Sequence, residues 1–249
     1  MLAAMRRRAV VACAVAVLAA PRAARAYRPF DQTDGDTAEF GTIELELGPL
    51  TLTRGDGQTT YQPGGVFNYG FSPGWELVVD YDAYIPVSDP GALIVPTDVM
   101  VKHVLRAGSL QGLTGPSIAL ELGPLLPQLP LPSNPSTPDD VGWSADLIVS
   151  QRWSDFTIHV NGQFEYTRDR QLEYTGGAIV EGPDRWRLRP VGEGYVQHED
   201  GGNLYSGLAG VLFRFRDNLT FDAALRAARD ENHVTSGQIR VGLTWVIST

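Results

Sequence analysis

Residues 155–166 read DFTIHVNGQFEY, and apolar and polar side chains alternate through the whole stretch. One parity carries Phe156, Ile158, Val160, Gly162, Phe164 and Tyr166, and the other carries Thr157, His159, Asn161, Gln163 and Glu165. A period of two predicts a β-strand with one apolar and one polar face. A stretch of this length exceeds a typical strand of a soluble protein, so it favours a strand that crosses a membrane.

The same alternation recurs along the chain and is still present in QIRVGLTWVI at residues 238–247. A sheet satisfies all its backbone hydrogen-bonding groups inside a bilayer only when it closes into a barrel. We predict twelve strands, near residues 40–49, 64–71, 74–86, 97–106, 115–123, 142–153, 155–168, 175–182, 185–197, 204–215, 218–228 and 237–247. Pro190 lies inside the ninth strand and predicts a bulge or bend, because proline cannot donate a hydrogen bond to a neighbouring strand.

The connections between these strands alternate between long and short. Outer-membrane barrels have short periplasmic turns and longer external loops, and an even strand number returns both termini to the periplasm. The long connections at 50–63, 86–97 and 124–141 would therefore be external. The predicted fold is an all-β, transmembrane, antiparallel up-and-down β-barrel of about twelve strands, with short periplasmic turns and longer external loops.

All five tryptophans lie on the apolar parity close to strand ends. Trp75, Trp153, Trp186 and Trp245 adjoin the predicted periplasmic side, and Trp143 adjoins the external side. Aromatic girdles mark both bilayer interfaces of such barrels. We therefore expect these five side chains to contact outer-membrane lipid at the interfaces.

The first 26 residues have the pattern of a secretory signal peptide. A basic start, MLAAMRRR, precedes a short apolar core, and Ala24-Arg25-Ala26 fits the small-x-small pattern of a cleavage site. The core is shorter than the ~20 residues that a transmembrane helix needs. We predict a signal peptide at 1–26, a periplasmic N-terminal segment at 27–39 and an outer-membrane β-barrel at 40–249. The expected location is the outer membrane of a bacterium with two membranes, reached with the help of barrel-insertion machinery.

The mature chain would be acidic and free of cysteine. Cys13, the only cysteine, lies within the predicted signal peptide. Removing residues 1–26 takes away five arginines and no acids, and 15 basic against 29 acidic residues leave a net charge of −14. Such acidity argues against nucleic acid as a partner. The four histidines are scattered without the spacing of a metal site, so neither a metal nor a cofactor is expected.

The polar parity of the strands would face the lumen of the barrel. The early strands present acids and the later ones arginines; the candidates for lining the lumen are Glu44, Glu46, Glu76, Asp80, Asp82, Asp98, Arg185, Arg187, Arg189, Arg214, Arg226 and Arg240. These charges would form either a selective passage for a small solute or a network that fills the inside. A count of twelve strands does not distinguish an open passage from a filled lumen, because barrels of eight strands are filled and barrels of sixteen hold a channel.

Two other classes of function compete with a channel. Ser150 and His159 would face each other across the tight turn at 154–155, close enough for a hydroxyl and an imidazole to interact in a barrel enzyme acting on lipids. No oxyanion donor can be named for this pair, and we expect no enzyme. A structural or adhesive surface protein would instead present the loops at 50–63, 86–97 and 124–141.

Three stretches carry a resemblance to a known family. They are YRPFDQTDGDTAEFGTIELELG at 27–48, GAIVEGPDRWRLRPVGEGYV at 177–196 and SGLAGVLFRFRDNLTFDAALR at 206–226, followed by GLTW near the C-terminus. The chain resembles the outer-membrane transporter family named for the MetA pathway of phenol degradation at both ends of the mature sequence and over much of its second half. The resemblance implies a barrel that passes small hydrophobic or aromatic compounds, and it carries over no binding residue. We therefore expect a channel or passive transporter for a small solute.

Overall fold

The computed structural model describes residues 28–88, 94–130, 140–199 and 202–248. The predicted signal peptide and the centre of the proline-rich connection lie outside the described residues. The strands of the described part are β1 Thr42–Gly55, β2 Gln58–Tyr61, β3 Gly64–Ser72, β4 Trp75–Asp82, β5 Ile85–Pro86, β6 Ile94–Arg106, β7 Ser117–Pro130, β8 Gly142–Arg152, β9 Thr157–Tyr166, β10 Leu172–Glu181, β11 Leu188–Glu199, β12 Gly202–Arg216, β13 Leu219–Asp230 and β14 Thr235–Ser248. A short 3₁₀ helix, Ser109–Gln111, lies between β6 and β7. No helix in these ranges is long and apolar enough to cross a membrane.

Twelve of the described strands form a closed antiparallel barrel in chain order. β14 closes it by pairing with β1 from Thr42–Ser248 at one end to Gly55–Ser236 at the other. The two short strands lie outside this order: β2 pairs with the C-terminal part of β1, from Leu52 to Gly55, and β5 pairs with β2. The predicted all-β, up-and-down barrel of twelve strands is confirmed.

The connections at 73–74, 107–116, 153–156, 182–187 and 217–218 share one end of the barrel, called here the turn end. The strand ends that the other connections join share the opposite end, called the loop end. Several strands reach further toward the loop end than predicted, and the longest extensions are those of β1, which continues to Gly55, and β7, which continues to Pro130. In β1 the alternation persists beyond residue 49, with Thr51 buried and Leu52 exposed, and β14 supplies a partner up to Ser236.

The sequence predicted a bulge or bend at Pro190, and the structure has no bulge there. β11 keeps a single register against β10 and against β12. The N–H of Gly182 donates to the Pro190 carbonyl over 2.8 Å, and the reciprocal bond cannot form because proline has no N–H. The ladder between β10 and β11 simply ends at the next pair, Glu181–Val191, so the proline lies where no further donor is needed.

The barrel wall is apolar on the outside and polar on the inside. Leu147 and Val160 are half exposed, whereas their sequence neighbours Asp146 and His159 are buried. This is the reverse of a soluble protein, in which charged residues are almost never fully buried unless paired. The fold therefore presents an apolar band to its surroundings and encloses a polar lumen, as barrels in lipid do.

Candidate functional site

Residues 28–39, called here the luminal segment, lie inside the barrel. The sequence predicted a periplasmic position for them, whereas the structure places them in the lumen, surrounded by the strands of the barrel. The chain leaves the lumen at the turn end, where Phe40 bridges to Gly70 and the Gly41 N–H donates to the Gly70 carbonyl over 2.7 Å. The physical reason for the inward path is that the backbone donors of the segment find acceptors on the inner wall.

These acceptors come from strands on different sides of the barrel. The N–H groups of Gln32, Thr33 and Gly35 donate to side-chain oxygens on β11, β9 and β8: Glu193 at 2.8 Å, Asn161 at 3.2 Å and Ser150 at 2.8 Å. The N–H of Ala38 donates to Glu76 on β4. The segment therefore crosses the lumen from β8, β9 and β11 to β4.

Ion pairs hold the deeper part of the luminal segment. Asp31 pairs with Arg226, at 3.2 Å between Oδ2 and Nε, and with Arg240. Arg28 lies 3.8 Å from Asp222, and its N–H donates to Glu46 over 3.0 Å. Charged side chains of the barrel wall are thus paired with charged residues of the luminal segment.

Lys102 on β6 is a central charge that sequence analysis missed. Its ammonium group donates to the Thr33 hydroxyl over 2.9 Å and lies 3.7 Å from Asp34 and 3.9 Å from Glu121. Its inward parity was readable from the sequence, but its partners on the luminal segment were not. Within the described residues, no group of three or more His, Cys, Asp or Glu side chains is arranged to hold a metal ion.

Most of the predicted lumen residues face the lumen. Those with inward side chains are Glu44, Glu46, Glu76, Asp80, Asp82, Asp98, Arg189, Arg226 and Arg240. Arg185 and Arg187 do not, because β11 begins only at Leu188 and both are exposed in the connection 182–187 at the turn end. Arg214 is half-buried at the same end and donates to the Asp184 carbonyl.

A cavity of about 310 Å³ remains in the lumen. It extends from Gln62 and Tyr84 near the loop end down to Glu46 and Glu76. The luminal segment lines it from the turn side. The charged side chains around it are Arg28, Asp31, Glu46, Glu76, Asp80, Asp82, Lys102, Glu121, Arg226 and Arg240.

Ser150 and His159 meet as the sequence predicted. They are cross-strand partners, with Ser150 Oγ 2.8 Å from His159 Nδ1, and His159 Nε2 lies 3.4 Å from Glu181. Both side chains are buried, and the Ser150 hydroxyl accepts the N–H of Gly35. Because the luminal segment covers the hydroxyl, the pair anchors that segment and offers no access to a substrate.

The five tryptophans all face outward. Trp75, Trp153, Trp186 and Trp245 lie near the turn end and Trp143 near the loop end, and each keeps at least 38% of its surface exposed. The ring of Trp75 stacks on His103, with centroids 3.8 Å apart, while His103 Nδ1 lies 2.9 Å from the Gly74 carbonyl oxygen. That contact accounts for an outward histidine, because its ring is covered by the tryptophan and its polar atom has a partner.

Similar folds are found among solved structures. The COG4313 outer membrane channel from Pseudomonas putida F1 matches with a TM-score of 0.55 and 10% identity, covering 88% of this chain and 100% of that chain. The KdgM porin in complex with disordered oligogalacturonate matches with a TM-score of 0.53 and 12% identity, covering 82% of this chain and 98% of that chain. No protein-family model and no curated protein matches the sequence, so the resemblance to the phenol-degradation family stays a prediction. The chain shares the β-barrel fold of these two outer-membrane proteins.

Proposed function

We propose that the protein is an outer-membrane channel for a small solute, with the turn end in the periplasm and the loop end outside. The observation that carries this proposal is the cavity of about 310 Å³ within a closed barrel whose exterior is apolar. Trp143 and Trp153 lie at opposite ends of β8, and ~3.3 Å per residue on a strand tilted by about 40° separates them by ~25 Å. That separation matches the height of the apolar band of an outer-membrane barrel. We therefore place the two bilayer interfaces at the levels of Trp143 and Trp153.

The luminal segment would close this channel on the periplasmic side. The part of the segment from Gly35 to Ala38 lies in the lumen between the cavity and the turn end. It is held there by hydrogen bonds from the Gly35 N–H to Ser150 and from the Ala38 N–H to Glu76. A solute crossing the whole barrel would require this segment to shift or leave. The proposed partners are outer-membrane lipid, the solute and the barrel-insertion machinery, after export by the signal peptide at 1–26. No catalytic role is proposed for Ser150 and His159.

Conductance in a planar lipid bilayer tests the channel. We expect the mature protein to conduct weakly, and a variant lacking Arg28–Ala38 to conduct several-fold more, because the deletion empties the turn side of the lumen. The matched control is Asp155→Asn in an exposed connection, which leaves the lumen unchanged. Folding of each protein is checked by its change in gel migration on boiling. A folded deletion variant that carries no current would reject the channel.

A further inference from the structure

We infer that the cavity binds small polar solutes that carry an amine or another cationic group. This inference rests on the proposed channel and names the class of solute that it would pass. Six carboxylates line the cavity, from Asp31, Glu46, Glu76, Asp80, Asp82 and Glu121. Four cationic side chains face them, from Arg28, Lys102, Arg226 and Arg240, so the lining has a formal excess of two negative charges.

The excess is located on β4. Within the described part of the chain, neither Asp80 nor Asp82 has an ion pair or a hydrogen bond to its side chain, and only Asp82 is attracted at longer range, by Arg28 and Arg240. Asp31, in contrast, is paired with two arginines. Asp98 on β6 lies directly opposite Asp80, and among the described residues the acid that forms an ion pair with Arg168 is Asp98. Like charges opposite each other on neighbouring strands destabilise a sheet. A cation bound from the cavity would relieve that repulsion.

The wall beside these acids leaves their carboxylates free to reach the cavity. Gly64 on β3 is the cross-strand partner of Asp82, and a Cβ at position 64 would collide with the Asp82 carboxylate. The absence of a side chain there keeps the space that the carboxylate occupies. Asp80 and Asp82 both line the cavity and are only half-buried, so a solute can contact them.

A second feature of the cavity points to a ligand from the other side. Gln32 of the luminal segment is 8% exposed and lines the cavity, yet neither its Nε2 nor its Oε1 has a hydrogen-bond partner in the described residues. The Oε1 atom lies beside Gly177 on β10, and a buried amide without partners is costly, so rotation of this side chain toward a polar solute in the cavity would be favourable. The cavity is at the small end of the range for ligand sites, which suits a solute of a few heavy atoms between β4 and Gln32.

The lining disfavours the hydrophobic or aromatic compounds that the family resemblance implies. Among the described residues that line it, the apolar or aromatic side chains are Phe30, Val66, Val78 and Tyr84, and most of the others are charged or carry hydrogen-bonding groups. An apolar molecule in this space would remove water from carboxylates and guanidinium groups and offer no hydrogen bonds in return. A cationic polar solute replaces that water with charge-assisted hydrogen bonds.

Calorimetric titration of the full mature protein in detergent tests the inference with three probes of equal length. These are 1,5-diaminopentane, the uncharged 1,5-pentanediol and the dianion glutarate. We expect the diamine to bind at least about tenfold more tightly than the diol, and glutarate to bind least, since hydrogen bonds between oppositely charged groups are stronger than those with a neutral partner. Equal binding of diamine and diol would overturn the inference.

The double variant Asp80→Asn with Asp82→Asn identifies the site. We expect it to lose at least about tenfold in diamine affinity and to fold at least as stably as the wild type, because it removes unpaired like charges. Asp140→Asn, an exposed acid paired with Arg170, is the matched control and should bind normally. Unchanged diamine affinity in the folded double variant would overturn the inference; if that variant does not fold, the two single variants carry the same test.

The binding assay separates this inference from the channel itself. If diamine binding depends on Asp80 and Asp82 but the variant lacking Arg28–Ala38 carries no current in a bilayer, the channel is rejected and the cation-binding site is supported. If the protein carries a current in a bilayer but does not bind the diamine, the channel is supported and the inference of a cationic solute is rejected.

Discussion

Replacing Asp31 by asparagine should loosen the luminal segment. Asp31 is the acid that binds both Arg226 and Arg240, and its side chain is 26% exposed against 18% and 10% for the two arginines. Breaking a fully buried pair costs about 3–5 kcal/mol and an exposed one under ~1 kcal/mol, so we assign about 2 kcal/mol to this partly screened pair. The equilibrium between docked and released segment should therefore shift by about 30-fold.

A single cysteine at position 32 reports this equilibrium. Cys13, the only cysteine, lies in the predicted signal peptide, so Gln32→Cys gives the mature chain one thiol. Gln32 is buried and its side chain has no partner among the described residues, so the substitution removes no hydrogen bond. Labelling by a polar maleimide in detergent should be slow with Asp31 present. It should accelerate by about 30-fold in Asp31→Asn, since labelling follows the population of the open form.

The control is Asp155→Asn, which removes an exposed acid paired with Arg185 over 2.7 Å at the turn end. Its labelling rate should equal that of the parent. Equal rates with and without Asp31 would show that its two ion pairs do not hold the segment. A thiol at position 32 that reacts as fast as a free thiol in the parent would show that the segment is not docked at all.

Three further predictions concern stability, read as the temperature at which the folded form is lost on a gel. Trp75→Ala should lower this temperature, because it removes a ring stack of about 1 kcal/mol, and Trp75→Phe should restore most of the loss. Ser150→Ala should cost about 1–2 kcal/mol by leaving the buried N–H of Gly35 without its acceptor, and lipid hydrolysis should be the same with and without the hydroxyl. Hydrogen bonds from Arg185 lower the pKa of Asp155, so their stabilising contribution is present above the unfolded pKa and is lost as pH falls through the lowered value. The difference between wild type and Arg185→Gln should therefore be present at neutral pH and disappear in strong acid; a difference that grows in acid would contradict the assignment.

The sequence by itself determined the barrel. Alternation such as Ile158, His159 and Val160 is a local signal, because successive side chains of a strand point to opposite faces. Twelve such strands and the positions of the tryptophans followed from this single rule. The same rule placed Ser150 opposite His159, since a tight turn fixes the register of the two strands it joins.

The path of residues 28–39 was decided only by the tertiary structure. Their sequence, RPFDQTDGDTAE, has no strand period, and their partners lie far away in the chain: Gln32 bonds to Glu193 and Asp31 pairs with Arg240. Strand parity shows which side chains face inward, but it does not show which inward charges meet. That depends on barrel closure and on what enters the lumen. Closure places Asp80 and Asp82 beside the cavity, and neither of them forms an ion pair with another described residue.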